Sequence, residues 1–216
     1  MTAAYVVAAV VAALLAELRP GGVALLFKLV PVSLLLVQAG RPLLAGDRGR
    51  FRRFLVLGLA FSVVGDLVIA FAFVGGIAAF LVAHGCYLAA MGWSGARKPA
   101  QLLALLPALA LWGGMVAIVV PRAPEELRAP VVVYATVISA MLGRATGRAF
   151  VTDPSREATL MCAGAAVFAL SDSLIAISKW VAPVPHPELA ILGTYYAAQA
   201  LISRGLPAGP SPAAAG

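Results

Sequence analysis

Four ionisable side chains, Lys28, Asp66, His84 and Asp172, stand inside long runs of apolar residues. Placing a charge in hydrocarbon costs on the order of a few kcal/mol, so such residues either neutralise one another or carry chemistry. Two of the four are carboxyls in related settings. Asp66 follows Gly65 and has Ser62 one turn earlier, and Asp172 lies between Ser171 and Ser173. Two carboxyls sharing one low-dielectric pocket do not ionise together easily, so one keeps its proton as an acid while the other serves as base or stabilises a cation. Which is which stays open, because such a pair titrates as a unit. Lys28 is the cation that tunes the charge of this pair. Tyr87, three residues after His84, shares its helical face, and together they would bind or orient a substrate. Pro31, one turn after Lys28, cannot donate to the Phe27 carbonyl and leaves an acceptor near the Lys28 ammonium.

Each residue also has a plainer reading. Lys28 could simply neutralise an aspartate so that helices pack, and His84 could be a packing histidine bonded to Tyr87 or to a backbone carbonyl. No metal site is expected: the other histidine, His186, is in a loop, and no spacing resembles a zinc motif. No cofactor motif occurs. Cys86 and Cys162 both fall in apolar runs and read as small packing residues.

The elements that must position these groups follow from composition. The chain has 216 residues, 62% hydrophobic and 12% charged, with mean hydropathy +0.98. A soluble domain could not cover that much apolar surface with so few charges. In lipid the spanning choices are helices or a closed barrel, and continuous Ala/Leu-rich runs select helices. The expected fold is all-α and polytopic, a single domain over residues 1–206 with a disordered Pro/Ala/Gly-rich tail at 207–216. Eight spans are read at Ala3–Leu18, Gly22–Ala39, Phe54–Ala72, Gly75–Trp93, Ala100–Val120, Pro130–Arg144, Ala158–Lys179 and Leu189–Ser203. Trp93 and Trp180 fall at helix ends, as an aromatic belt requires. The first span has no basic stretch before it, so no cleaved signal peptide is expected.

Net charge is +7, yet the basic residues sit in the gaps between apolar runs, with no aromatic-interleaved basic patch. Nucleic acid is therefore excluded as a partner; bilayer lipid takes its place. Arg41, Arg48, Arg50, Arg52, Arg53, Arg97, Lys98, Arg144, Arg148, Arg156 and Arg204 fall on one side, against Arg19, Arg122, Arg128 and Lys179 on the other. The excess puts both termini in the cytoplasm, in a bacterial inner membrane. With that orientation Lys28, Asp66 and Asp172 lie roughly 9–10 Å below the outer interface, and His84 slightly deeper. Three ionisable groups at one depth imply one pocket. A shift of 106 residues superposes Lys28 on Tyr134, Ser33 on Ser139 and Asp66 on Asp172, and a shift of 108 superposes Tyr87 on Tyr195. Two parallel four-helix repeats about an axis along the membrane normal would produce this pattern; so would chance similarity between Ala-rich helices.

Three stretches together resemble the YhhN family of integral membrane proteins, which includes lysoplasmalogenases: Phe27-Lys28-Leu29-Val30-Pro31; Gly58 through Phe61-Ser62 and Gly65-Asp66 to His84 and Tyr87; and Gly164 through Ser171-Asp172-Ser173, followed by Tyr195-Tyr196-Ala197-Ala198-Gln199. The resemblance implies an intramembrane hydrolase that opens the vinyl ether of a lysophospholipid to a fatty aldehyde and a glycerophospho-headgroup. On that reading Asp66 and Asp172 are the acid/base pair, and Lys28, Ser62, His84, Tyr87, Ser171 and Tyr195 surround the substrate. The chemistry suits the residues. Vinyl-ether hydrolysis needs an acid to protonate the alkene carbon distal to oxygen and a carboxylate to stabilise the oxocarbenium ion and activate water, a division of labour that glycosidases also use. The rival expectations are a transporter with midplane carboxylates and a lipid-binding factor without turnover.

Overall fold

A computed structural model describes residues 3–19, 21–47, 49–92 and 100–205. Among them all regular structure is helical: α1 (Ala3–Leu18), α2 (Gly22–Leu44), α3 (Arg50–Val68), α4 (Phe73–Ala90), the single turn α5 (Ala100–Leu103), α6 (Leu106–Gly114), α7 (Glu125–Gly147), α8 (Arg156–Trp180) and α9 (Pro187–Arg204). A π turn over Met115–Val119 and a 3₁₀ turn over Val120–Arg122 continue α6, and a π turn over Arg148–Thr152 continues α7. The expected all-α class holds. Trp93 and the tail at 207–216 lie outside the described residues.

Among the described residues four helical stretches are long and apolar enough to cross a membrane: Gly22–Leu44, Phe73–Ala90, Glu125–Thr152 and Arg156–Trp180. Ala3–Leu18 and Leu106–Arg122 are apolar but shorter. α3 carries Arg50, Arg52, Arg53 and Asp66, and α9 carries Glu188, Gln199 and Arg204, which dilute their hydropathy.

The boundaries of α3 differ from the sequence expectation. Arginine is a good helix former, so the helix starts at Arg50 instead of Phe54. It also ends at Val68, where the Val68 carbonyl accepts from both Phe71 and Ala72 N–H and closes a tight turn. Asp66 is thus in the last turn of α3, whereas Asp172 lies eight residues before the end of α8. The two aspartates are not equivalently placed along their helices. Charge complements the helix ends elsewhere: Glu125 and Glu126 open α7, Glu157 follows the N-cap Ser155 of α8, and Lys179 closes α8.

Consecutive helices pack as neighbours, α1 on α2, α2 on α3, α3 on α4, then α6 on α7, α7 on α8 and α8 on α9. Across the halves α9 packs on α1 and α2, and α4 packs on α7. Small residues let these helices approach closely, as expected where lipid removes the hydrophobic drive to associate. The α3–α4 pair depends on glycine. A Cβ at Gly58 would lie 2.3 Å from the Tyr87 ring, one at Gly65 would lie 2.8 Å from the Phe80 ring, and one at Gly76 would lie 2.4 Å from Cβ of Ile69. Gly58 and Gly65, two turns apart, seat Tyr87 and Phe80 directly on the α3 backbone. Gly164 plays the same part in α8, against Ile202 and the Ala198 carbonyl of α9. At the basic end, Arg144 and Arg148 donate to the Gly92 and Met91 carbonyls that close α4, and Arg148 also pairs with Asp153 at 2.8 Å.

Candidate active site

Three helices turn one stripe each toward a common cleft. Phe73, Val74, Ile77 and Phe80 come from α4, Leu127, Pro130, Val131 and Tyr134 from α7, and Asp172, Ile175, Ala176 and Trp180 from α8, with Met115 from the turn after α6. The i, i+3, i+4, i+7 spacing on α7 and the i, i+3, i+4, i+8 spacing on α8 are those of one helical face. The cleft holds about 610 Å³ including its open mouth. Its wall is apolar except for the Asp172 carboxyl, the Tyr134 hydroxyl and the Trp180 indole.

Around Asp172 the polar groups form a tight set. The Tyr134 hydroxyl donates to Oδ2 at 2.7 Å, and His84 Nε2 stands 3.4 Å from the same oxygen. His84 Nδ1 lies 2.7 Å from the Phe80 carbonyl, one helical turn earlier. A carbonyl only accepts, so Nδ1 carries the hydrogen of that bond. The other nitrogen then faces Asp172 with either a lone pair or a second proton. His84 is wholly buried, edge-on to Phe168 at 4.5 Å and to Tyr134 at 5.4 Å.

Asp66 occupies a separate compartment. It is 1% exposed, and its Oδ2 accepts from the Tyr195 hydroxyl at 2.8 Å. Lys28 is close enough to act on it through its field, and among the described residues no ion pair of 4 Å or less joins the two. Neither residue lines the cleft. Among the described residues no hydrogen bond or ion pair joins Asp66 to Asp172. They are linked instead through rings: Tyr195 touches Phe80 and Phe168 edge-on at 5.8 and 5.5 Å, and Phe168 touches His84. The two carboxyls thus have separate surroundings, Asp172 on the cleft and Asp66 away from its lining, with aromatic rings between them.

The hydroxyls expected beside the carboxyls are engaged elsewhere. Ser62 belongs to a closed ring in which Tyr87 donates to Gln199 Oε1 at 2.8 Å, Gln199 Nε2 donates to Ser62 at 2.9 Å, and Ser62 and Tyr87 are 3.1 Å apart. With the Tyr87 hydrogen on Gln199, Ser62 is the donor in the third bond. All three residues are buried and satisfied. Ser171 donates to the Ile191 carbonyl and Ser173 to the Ala169 carbonyl. Tyr87 meets His84 only ring to ring, at 6.4 Å. One turn before Pro31 in α2, the Tyr196 hydroxyl donates to the Lys28 carbonyl at 3.0 Å.

Two residues central to this geometry, Tyr134 and Gln199, were not among the candidates from sequence. Tyr134 had a signal, since the internal repeat superposes it on Lys28. Gln199 had a weaker one, an uncharged amide inside an apolar run.

The YhhN family model matches residues 23–206, from α2 to just past α9. The chain belongs to the YhhN family. This YhhN chain is 34% identical over 187 residues to the lysoplasmalogenase TMEM86B of Sus scrofa, covering 86% of the chain and 76% of that relative. It is 32% identical over 193 residues to the lysoplasmalogenase TMEM86A of Homo sapiens, covering 85% and 78%. A lysoplasmalogenase of Mycobacterium tuberculosis is 32% identical over 167 residues, covering 73% and 61%. No solved structure matches the chain. Every residue of both compartments falls inside the matched YhhN region.

Proposed function

We propose that this protein hydrolyses the vinyl ether of lysoplasmalogen-type lysophospholipids, releasing a fatty aldehyde and a glycerophospho-headgroup. The observation that carries this reading is the Asp172–His84–Tyr134 set at the base of an otherwise apolar cleft. A long alkenyl chain needs such walls, and the reaction needs one transferable proton where they end. The names of the relatives support the same chemistry.

The proton held between Asp172 and His84 passes to the alkene carbon distal to oxygen, and the electron pair of the double bond forms the new C–H bond. The adjacent carbon becomes an oxocarbenium ion. Water adds to that carbon and gives a proton back to the Asp172–His84 pair, leaving a hemiacetal. The hemiacetal breaks its bond to the glycerol oxygen, which takes up the hydroxyl proton as the aldehyde departs. Asp172 meets the substrate. Asp66 is the second carboxyl of the pair, and its fixed charge, tempered by Lys28, stabilises the cation from behind the aromatic layer, where water screens it poorly. Tyr134 and Tyr195 hold the two carboxyls, and the Ser62–Tyr87–Gln199 ring fixes α3, α4 and α9 around them.

We read eight spans with both termini cytoplasmic, in an inner membrane, because the basic residues gather at the end where Arg144 and Arg148 close α4. Two parallel repeats, α1–α4 and α6–α9, are supported by matched packing: α1·α2 with α6·α7, α2·α3 with α7·α8, α3·α4 with α8·α9, and α2·α9 with α7·α4. Gly58 and Gly164, 106 positions apart, each let the following helix approach closely.

The test is aldehyde release by purified protein in neutral detergent from a 1-alkenyl lysophospholipid, with the saturated 1-alkyl ether as control. Release from the first alone is expected. Movement of unchanged substrate across liposomes without aldehyde would establish a carrier instead.

A further inference from the structure

The cleft ends on packed side chains. Behind Asp172 stand His84 and Phe168, both wholly buried, and Tyr195. A lysophospholipid whose vinyl ether reaches Asp172 must therefore send both of its arms back out through the cleft. The alkenyl arm has an apolar way out on the flank where α6 packs on α7 without comparable contact with α4. The glycerophosphate arm needs a cation at the mouth.

On α8, the cleft-lining residues Asp172, Ile175, Ala176 and Trp180 define a stripe at i, i+3, i+4 and i+8. Position i+7 of the same stripe is Lys179, in the last turn. Seven residues of helix return to within about 20° of the same face and rise about 10 Å. Lys179 is held at the mouth: its Nζ lies 4.1 Å above the ring of Phe73, itself a cleft residue, and Phe73 meets Trp180 edge-on at 6.0 Å. At the same end Arg122 already donates to the Ile118 carbonyl and Arg128 to the Ala123 carbonyl. Lys179 has no such acceptor among the described residues.

We infer that Lys179 is the headgroup-binding residue of this enzyme, taking the phosphate of the lysophospholipid while the vinyl ether lies against Asp172. The spacing fits. Seven bonds separate the protonated alkene carbon from phosphorus in an extended lysolipid. At about 3.6 Å per three bonds this is about 8 Å, which leaves the lysine stem to close the remaining gap. The inference rests on the hydrolase reading but is tested apart from it.

The experiment compares a 1-alkenyl lysophospholipid with the corresponding 1-alkenylglycerol, which lacks phosphate, in a phosphate-free neutral detergent so that no bilayer headgroup competes. Wild type should prefer the phosphate-bearing substrate in kcat/KM. Lys179→Met should cut that preference at least about tenfold, mainly by raising KM, as loss of binding common to ground and transition states does. Lys179→Arg should restore most of it. A preference unmoved in Lys179→Met, whether or not both rates fall, would mean that the lysine only snorkels to the interface and would overturn the inference. Should wild type release no aldehyde from either substrate, the hydrolase reading fails, and binding still decides the inference. Tryptophan fluorescence, with Trp180 beside the site, is titrated with saturated 1-alkyl lysophospholipid and with 1-alkylglycerol. Tighter binding of the phosphate-bearing lipid that disappears in Lys179→Met supports the phosphate site; equal binding of both by wild type refutes it.

Discussion

His84 Nε2 and Asp172 Oδ2 face each other across 3.4 Å while the opposite ring nitrogen is tied to the Phe80 carbonyl. A proton shared between imidazole and carboxyl is what the proposed mechanism requires of this pair, and the Tyr134 hydroxyl donates to the same carboxylate oxygen at 2.7 Å. Phe80 thereby joins the two compartments: its carbonyl fixes the histidine tautomer, and its ring rests on Gly65, next to Asp66.

His84→Gln keeps an amide able to donate to the Phe80 carbonyl but cannot take up a second proton. The expected outcome is a loss of turnover together with loss of one limb of the pH–activity profile, read from initial rates of aldehyde release. A histidine that only fills space would lower folded yield and leave the shape of the profile unchanged.

Asp172→Asn removes the group placed at the substrate, and a fall of about 10²–10⁴-fold in kcat is expected in folded protein. Asp66→Asn removes a charge that acts from a distance, and a smaller fall, about 10²-fold or less, is expected. Because the two act on one developing cation, the double variant should be scarcely worse than Asp172→Asn. Wild-type rates from folded Asp172→Asn protein would refute the mechanism.

Gly58→Ala and Gly65→Ala test the α3–α4 seat. Each new methyl must displace an aromatic ring, at about 1–3 kcal/mol for overpacking. Gly58→Ala should cost more, because Tyr87 is also held by Gln199 and Ser62. Thermal unfolding in detergent should rank the variants in that order, and equal midpoints for both variants and wild type would count against these contacts.

Outside the bundle, the hydrogen bonds from Arg148 hold the Asp153 carboxyl below its ordinary value of 3.8. A lowered carboxyl contributes stability that is present above the unfolded value and lost as pH falls through the folded one. The half-exposed pair is worth under about 1 kcal/mol. Asp153→Asn should lower the unfolding midpoint slightly at pH 7 and leave wild type and variant alike in acid. A difference that grew on acidification would reverse the assignment.

The apolar runs made the helices legible, because in lipid a long run has few alternatives to helix. Their ends were harder. Arg50 to Arg53 look like a loop by polarity, yet they extend α3, and the turn at Phe71–Ala72 is set by two hydrogen bonds donated to one carbonyl. The costly residues Asp66, His84 and Asp172 could be singled out from sequence because charge in an apolar run is conspicuous. Tyr134 and Gln199 could not, since uncharged polar groups are cheap enough to pass as filler. The direction in which Ser62 and Ser171 donate depends on helices far away in the chain, and local spacing carries no record of it.

The last helix supplies the partners of the early ones. Asp66, Ser62, Tyr87 and the Lys28 carbonyl all bond to Tyr195, Tyr196 or Gln199, and the Tyr5 hydroxyl donates to the Tyr196 carbonyl at 2.6 Å. A nascent chain leaving the ribosome therefore carries unmatched polar groups in its first four helices until α9 arrives, at about 1–3 kcal/mol for each one left buried. Assembly of the early helices waits on α9. A chain stalled before α9 would present those groups to the bilayer, where quality-control machinery could recognise it as unfinished.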